Sequence, residues 1–202
     1  MAKTLVFCVI LAGFLLSACA SIHQPEKVLA PAQLAPYRAT IALTGRLSVN
    51  YQKNGKAEAL SGKFVWQQSA EGTDVSLLSP FGQTIATIVQ TPLTATLTQS
   101  GQAPRVAADL DTLSVQALGW TLPVAGLRHW LQGYAVSDDG RFFAASEEHD
   151  SVTTADGWRL HFVSWQQDVA GLAQPKRIDA ERRAASDQID ALSLRIVIDS
   201  QE

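Results

Sequence analysis

Along residues 40–52 the chain alternates. Ile41, Leu43, Leu47, Val49 and Tyr51 fall on one side; Thr40, Thr44, Arg46, Ser48 and Asn50 fall on the other. Period two predicts a half-buried antiparallel strand, because successive side chains of an extended chain point to opposite faces. Asn54-Gly55 then signals a hairpin turn. Residues 57–68 are the expected partner strand, with Leu60, Phe64 and Trp66 in phase. A turn at Glu71-Gly72 precedes a strand over 75–78. Ser79-Pro80-Phe81-Gly82 breaks the pattern, and two strands over 83–90 and 93–99, rich in Thr, Ile and Val, end at Ser100-Gly101.

The middle of the chain changes period. Asp109 is a capping residue ahead of Leu110, Leu113, Val115 and Leu118, which predict a helix ending at Gly119. Pro123 suits the first turn of a second short helix, with a stripe of Leu127, Trp130 and Leu131 before Gly133. Strands return in the last third. Trp158, Leu160, Phe162 and, after a shift, Trp165 mark one; residues 175–180 are a short one. Residues 188–199 alternate Leu192, Leu194, Ile196 and Ile198 against Ser193, Arg195 and Val197. Many short strands with two helices inserted mid-chain predict a mainly β, α+β fold: a curved antiparallel sheet closed by helices.

The N-terminus follows different rules. Lys3 precedes an uncharged apolar run over 5–16, long enough for a secretory signal and too short for an ordinary membrane span. Leu16-Ser17-Ala18-Cys19 then places small residues before a cysteine, the pattern of a bacterial lipoprotein signal. Residues 1–18 are expected to be removed and Cys19 lipidated. Residues 19–37, with Pro25, Pro31 and Pro36, are expected to be a flexible tether, and residues 38–202 one domain. The only other cysteine, Cys8, leaves with the signal, so the mature domain has no disulfide and no cysteine metal site. Ala20 in place of an Asp favours the outer membrane over the inner.

Composition narrows the function. Of 202 residues 47% are hydrophobic and 17% charged, which excludes a disordered chain. The net charge of −3 offers no basic field for nucleic acid. His23, His129, His149 and His161 lack metal-ligand spacing, and neither a nucleophile elbow nor a phosphate-binding glycine loop occurs. No cofactor or metal is expected. The acid pairs Asp138-Asp139 and Glu147-Glu148 sit in polar surroundings and are expected to be solvated. Five tryptophans, Trp66, Trp120, Trp130, Trp158 and Trp165, serve either core packing or an apolar cavity. Phe81, held between two turn formers, either folds back on the sheet edge or presents an apolar tip to a membrane or lipid.

An ordered set of motifs adds a resemblance. Gly45-Arg46-Leu47-Ser48-Val49, Gly62-Lys63-Phe64-Val65-Trp66, Leu77-Leu78-Ser79-Pro80-Phe81-Gly82-Gln83, Leu118-Gly119-Trp120-Thr121-Leu122-Pro123-Val124, Leu127-Arg128-His129-Trp130-Leu131-Gln132-Gly133, Asp156-Gly157-Trp158 and Leu194-Arg195-Ile196-Val197-Ile198-Asp199 follow one another. With Cys19, they resemble the outer-membrane lipoprotein receptor family LolB, from about residue 40 to the end. The resemblance implies a half-open antiparallel β-barrel with a helical lid over an apolar cavity. It implies a monomeric receptor that accepts client lipoproteins from the periplasmic carrier LolA and inserts them into the inner leaflet of the outer membrane. By position, Pro80, Phe81 and Gly82 match the family's membrane-insertion loop and Cys19 its lipid-attachment site. Leu47, Phe64, Trp66, Leu118, Leu127 and Trp130 are the candidates for the cavity and its lid. An envelope hydrolase and a structural scaffold lipoprotein are the competing readings.

Cys19 is the first test. Mass spectrometry of the native protein should find it lipid-modified, and Cys19→Ala behind a cleavable signal should release a folded, soluble periplasmic protein. An unmodified Cys19 refutes the anchor.

Overall fold

A computed structural model describes residues 33–201 except 54, 119–121 and 187–188. All of these lie in one compact unit, Pro31–Glu202. The signal, Cys19 and most of the tether fall outside the described residues, as does Trp120. The strands are β1 (Ile41–Lys53), β2 (Lys56–Gln68), β3 (Thr73–Leu78), β4 (Thr84–Gln90), β5 (Ala95–Gln99) and β6 (Arg105–Ala107). Helices α1 (Leu110–Leu118) and α2 (Val124–Trp130) follow. Then come β7 (Tyr134–Val136), β8 (Phe142–Ala144), β9 (Ser151–Thr153), β10 (Arg159–Gln167), β11 (Ala173–Ser186) and β12 (Ile189–Gln201).

Ten strands form one antiparallel sheet in the order β6-β5-β4-β3-β2-β1-β12-β11-β10-β9, and β7 and β8 form a separate hairpin. The first and last long strands thus meet in the middle, and the edges β6 and β9 stay unpaired with each other, so the barrel is half open. The alternation predicted for β1 and β12 sets this register. Leu47 stands opposite Ile196 and Val49 opposite Leu194, so their apolar sides share one face. Across the other seam β1 and β2 pair without a slip from Ile41↔Gln68 to Lys53↔Lys56. Phe64 and Trp66 thereby join the same buried face. Leu60 shares their phase, opposite Val49, but is half-exposed.

Predicted element types hold, with local differences. Residues 91–94 form the β4–β5 turn, closed by the Thr91 amide on the Thr94 carbonyl at 2.9 Å, so β5 starts at Ala95 and Leu93 is exposed. The strand expected over 175–180 runs from Ala173 to Ser186. Its second half carries charges, Glu181, Arg182 and Arg183, that hide its period. The short strands β6 to β9 carry too few residues for a period to show. The shift expected before Trp165 is real: β10 slips against β11 on both sides of Ser164. In α1, Asp109 caps as predicted, accepting the Thr112 amide at 2.7 Å. That bond holds the Asp109 carboxyl below the ordinary carboxylate range. Val115, however, faces outward, because the buried stripe runs through Leu110, Leu113 and Ser114.

Residues 33–38 also differ from expectation. Instead of ending the tether, residues 33–37 are pinned to the domain. Leu34 bridges Ala173, whose amide donates to the Gln33 carbonyl at 2.8 Å. Tyr37 stacks on His129 at 5.2 Å, and Gln132 Oε1 accepts the Arg38 amide at 2.8 Å. Gln132 and His129 are distant in sequence, so nothing local announces the docking.

Gly45 sits at a close approach across the sheet. An added Cβ would stand 2.8 Å from the Phe64 ring and closer still to the Val197 carbonyl oxygen. Gly45→Ala should therefore lower stability by about 1–3 kcal/mol through overpacking, read as a lower denaturant midpoint at unchanged slope. An unchanged midpoint would show that both the Phe64 ring and the β12 backbone at Val197 can give way.

Candidate functional site

The inward sides of β1 to β4 and β12 build a floor, and α2 lies across it. Pro123 starts α2, and its stripe Val124, Leu127, Trp130 and Leu131 is buried. Seven residues do not make a stable helix in water, so packing holds this one in place. Arg128 adds a polar clasp. Its guanidinium donates to the Gly72 carbonyl at 2.9 Å, to the Ser69 carbonyl at 2.7 Å and to the Thr73 hydroxyl, tying α2 to the β2–β3 turn. Gln132 donates to the Arg38 carbonyl at 3.0 Å and closes the far end. Sequence reasoning missed both residues; apart from the Thr73 hydroxyl their acceptors named here are backbone groups, which leave no mark on the chain.

Between floor and helices the packing is incomplete. One cavity of about 60 Å³ is walled by Leu47, Phe64, Trp66 and Ile196 below and by Leu127 and Leu131 above. A second, of about 100 Å³, lies beside it under α1, against Leu97, Leu110, Leu113 and Ala117. Leu77, Ile88, Leu122 and Val124 border both. The walls are almost wholly apolar, which leaves such voids dry. Both are far below the ~300–1,000 Å³ of pockets that enclose drug-sized ligands. The lid is thus shut over a chain of small apolar spaces.

Four of the six cavity and lid candidates, Leu47, Phe64, Trp66 and Leu127, meet at the first cavity. Trp130 does not wall it. Its ring packs edge-on against Trp158, 5.8 Å between centroids. Leu118 ends α1, and its side chain lies outside the described residues. Among the described tryptophans only Trp66 walls the cavity; Trp165 stacks on Phe162 at 6.1 Å. Most of the aromatic signal is packing. The paired acids are exposed, and Asp139 is held down to about 2 by its bonds to Arg141 and Ser137. A carboxyl held that low is not a general acid at neutral pH.

Phe81 stands apart from all of this. The Gly82 amide bonds the Ser79 carbonyl at 2.9 Å, the Ser79 amide bonds the Gln83 carbonyl at 2.8 Å, and Gly82 has φ +85°. This is the three-residue hairpin loop whose last position needs glycine. The same closure recurs at Ser137–Gly140, Thr154–Gly157 and Asp168–Gly171. Those loops carry small or acidic residues and one valine at their tips, whereas this one carries an aromatic ring that is 93% exposed. Of the two alternatives for Phe81, the outward one holds.

A half-open antiparallel barrel, lidded by helices over an apolar interior and bearing an apolar loop, defines a carrier-type binding protein. The chain belongs to the LolB family: the family profile described as "Outer membrane lipoprotein LolB" matches residues 39–200. It is 40% identical over 189 residues to the outer-membrane lipoprotein LolB of Cupriavidus necator, covering 93% of this chain and 91% of that one. The outer-membrane lipoprotein LolB of Ralstonia nicotianae is 34% identical over 200 residues, covering 96% and 92%. Among solved structures, a LolA superfamily protein from Nitrosomonas europaea superposes with a TM-score of 0.47 at 9% identity, over 80% of this chain and 85% of that one.

Ile88 tests the cavity, since it borders both voids. Ile88→Asn would leave a buried amide unpaired, at about 1–3 kcal/mol. Binding of an environment-sensitive apolar dye should fall at least about fivefold, while Thr98→Asn on the outer face should not change it. Equal loss in both variants would place the dye elsewhere.

Proposed function

We propose that this chain is a receptor, lipid-anchored in the outer membrane, that accepts lipoproteins from the periplasmic carrier LolA and inserts them into the inner leaflet. The observation that carries the reading is the enclosed apolar cavity beneath α2. Acyl chains in water are costly, so a protein that moves them must cover them. A flat exposed interface would have favoured the scaffold reading, and a buried acid or activated nucleophile the hydrolase.

Residues 1–18 act as the signal peptide and Cys19 carries the lipid. Gln33 is fourteen positions after Cys19, a span of at most about 50 Å, so the domain reaches both the membrane face and a carrier in the periplasm. Leu47, Phe64, Trp66 and Leu127 contact the client's acyl chains once α2 swings away from the sheet. Leu118 ends the first lid helix, and Trp130 seats the second on Trp158. Pro80 and Gly82 hold the turn, and Phe81 touches the leaflet during delivery. Fully burying one Phe yields about 1.5–3 kcal/mol, too little to anchor a protein and enough to lower a barrier at the membrane surface. No nucleotide is consumed; clients move down an affinity gradient from carrier to receptor to bilayer.

Phe81→Glu separates the steps. The ring makes little contact with the fold, so the melting temperature and acceptance from the carrier should stay at wild-type values while delivery to vesicles falls. Phe81→Leu should retain both. A folded Phe81→Glu protein that delivers clients at the wild-type rate refutes the loop's role.

A further inference from the structure

Beside the Phe81 loop, on the face turned away from the cavity, lies a groove of about 310 Å³. Pro80 forms one wall. Arg46, Lys63 and Arg195 line the rest together with Ser48, Ser61 and the apolar Leu47 and Val197, so three cationic heads border a largely apolar trough. Strand register explains the cluster. Arg46 stands directly opposite Lys63 on β2, and Ser48 stands opposite both Ser61 and Arg195. Lys63 is in turn opposite Leu78, the last residue of β3 before the loop. Neighbouring strands lie about 4.8 Å apart, so Arg46 is the immediate neighbour of Lys63, while Arg195, two strands and two residues from Lys63, stands about 12 Å from it at the backbone and meets it only through the reach of the long side chains. Phe81 is three positions after Leu78, which bounds their distance at about 11 Å.

Two of the cations are already partnered. Arg46 bridges Asp199 at 2.9 Å, and Arg195 bridges Asp179 at 3.2 Å. Each guanidinium has five donors, so a single carboxylate leaves several for another acceptor. Among the described residues Lys63 has no carboxylate partner, and it is exposed. The chain as a whole is acidic, with a net charge of −3, so a cationic groove here runs against its background.

We propose that this groove binds the phosphate of an anionic phospholipid headgroup when the Phe81 loop meets the membrane. A cationic groove lined with hydroxyls and apolar side chains, adjoining one exposed apolar ring, complements a molecule that joins a phosphate to apolar chains. A free phosphate would use the groove and leave Phe81 without a role. The proposal rests on Phe81 touching the leaflet, as set out above. It adds that the headgroup charge orients the loop and confines delivery to a phospholipid surface.

The test uses the secreted Cys19→Ala protein, so that its own anchor does not mask the contact. Cosedimentation is measured with vesicles of phosphatidylcholine alone and of phosphatidylcholine mixed with phosphatidylglycerol. The unaltered groove should prefer the anionic vesicles, and added salt should abolish the preference. Lys63→Gln should weaken anionic binding about fivefold, and Lys63→Gln with Arg195→Gln about twentyfold or more. Binding to neutral vesicles and the melting temperature should not change. Undiminished anionic binding by the folded double variant overturns the proposal. So does displacement by inorganic phosphate beyond that by chloride at equal ionic strength, which would make this a free-phosphate site. If the double variant binds both vesicles normally but accepts lipoprotein slowly from LolA, the groove serves the carrier and the proposal also fails. Phe81→Glu reports on the loop separately. Unchanged binding to neutral vesicles would refute leaflet contact, while a loss in the double variant would still support the groove.

Discussion

A curved antiparallel sheet that is apolar on one side must have that side covered, and an open sheet cannot do it alone. The structure depends on this constraint. β1 and β12 meet in the centre, and the residues turned inward there, Val49, Leu194 and Ile196 among them, need a second layer. Helices of nine and seven residues provide it. Neither would persist as an isolated helix, so sheet and helices exist by covering each other. The cover fits imperfectly, and the two small cavities between Leu77, Ile88, Leu122 and Val124 are the result.

That imperfect fit suits reversible loading. Opening α2 breaks the three hydrogen bonds of Arg128, and bonds to a charged donor contribute about 1.5–3 kcal/mol each. Roughly six to eleven buried methylenes, at about 0.8 kcal/mol each, recover an energy of that size. In the proposed loading, a client's acyl chains would have to offset both those bonds and the exposure of the buried stripe Val124, Leu127, Trp130 and Leu131. A perfectly packed core would hold the lid closed; a large preformed cavity would hold its apolar walls against water between clients.

Much of the site was legible as pattern. Alternation placed Leu47, Phe64 and Trp66 on one inward face and the family resemblance supplied the cavity; the three residues do wall it. The prominence of Phe81 was legible as a conflict, an aromatic between two turn formers. Trp130 misled, since a helical stripe says only that a residue is buried and not what it is buried against; Trp158 takes it. Arg128 and Gln132 were invisible, because they bond backbone groups far away in the chain.

The expectation of a lipoprotein signal, the strand–helix–strand order, the inward faces of β1, β2 and β12 and the family motifs all follow from residue order alone. Each is set by neighbours within a few positions, through side-chain alternation, helix capping or turn chemistry. Tertiary structure decided the rest. It chose β12 as the partner of β1, which closes the two halves into one sheet, because strand pairing is a choice among distant segments. It docked residues 33–37 onto the domain through Ala173 and His129, and it gathered Arg46, Lys63 and Arg195 from three strands into one groove beside Phe81. The size of the cavity was also decided there, since it depends on how closely α2 settles on the sheet. No local pattern encodes that distance.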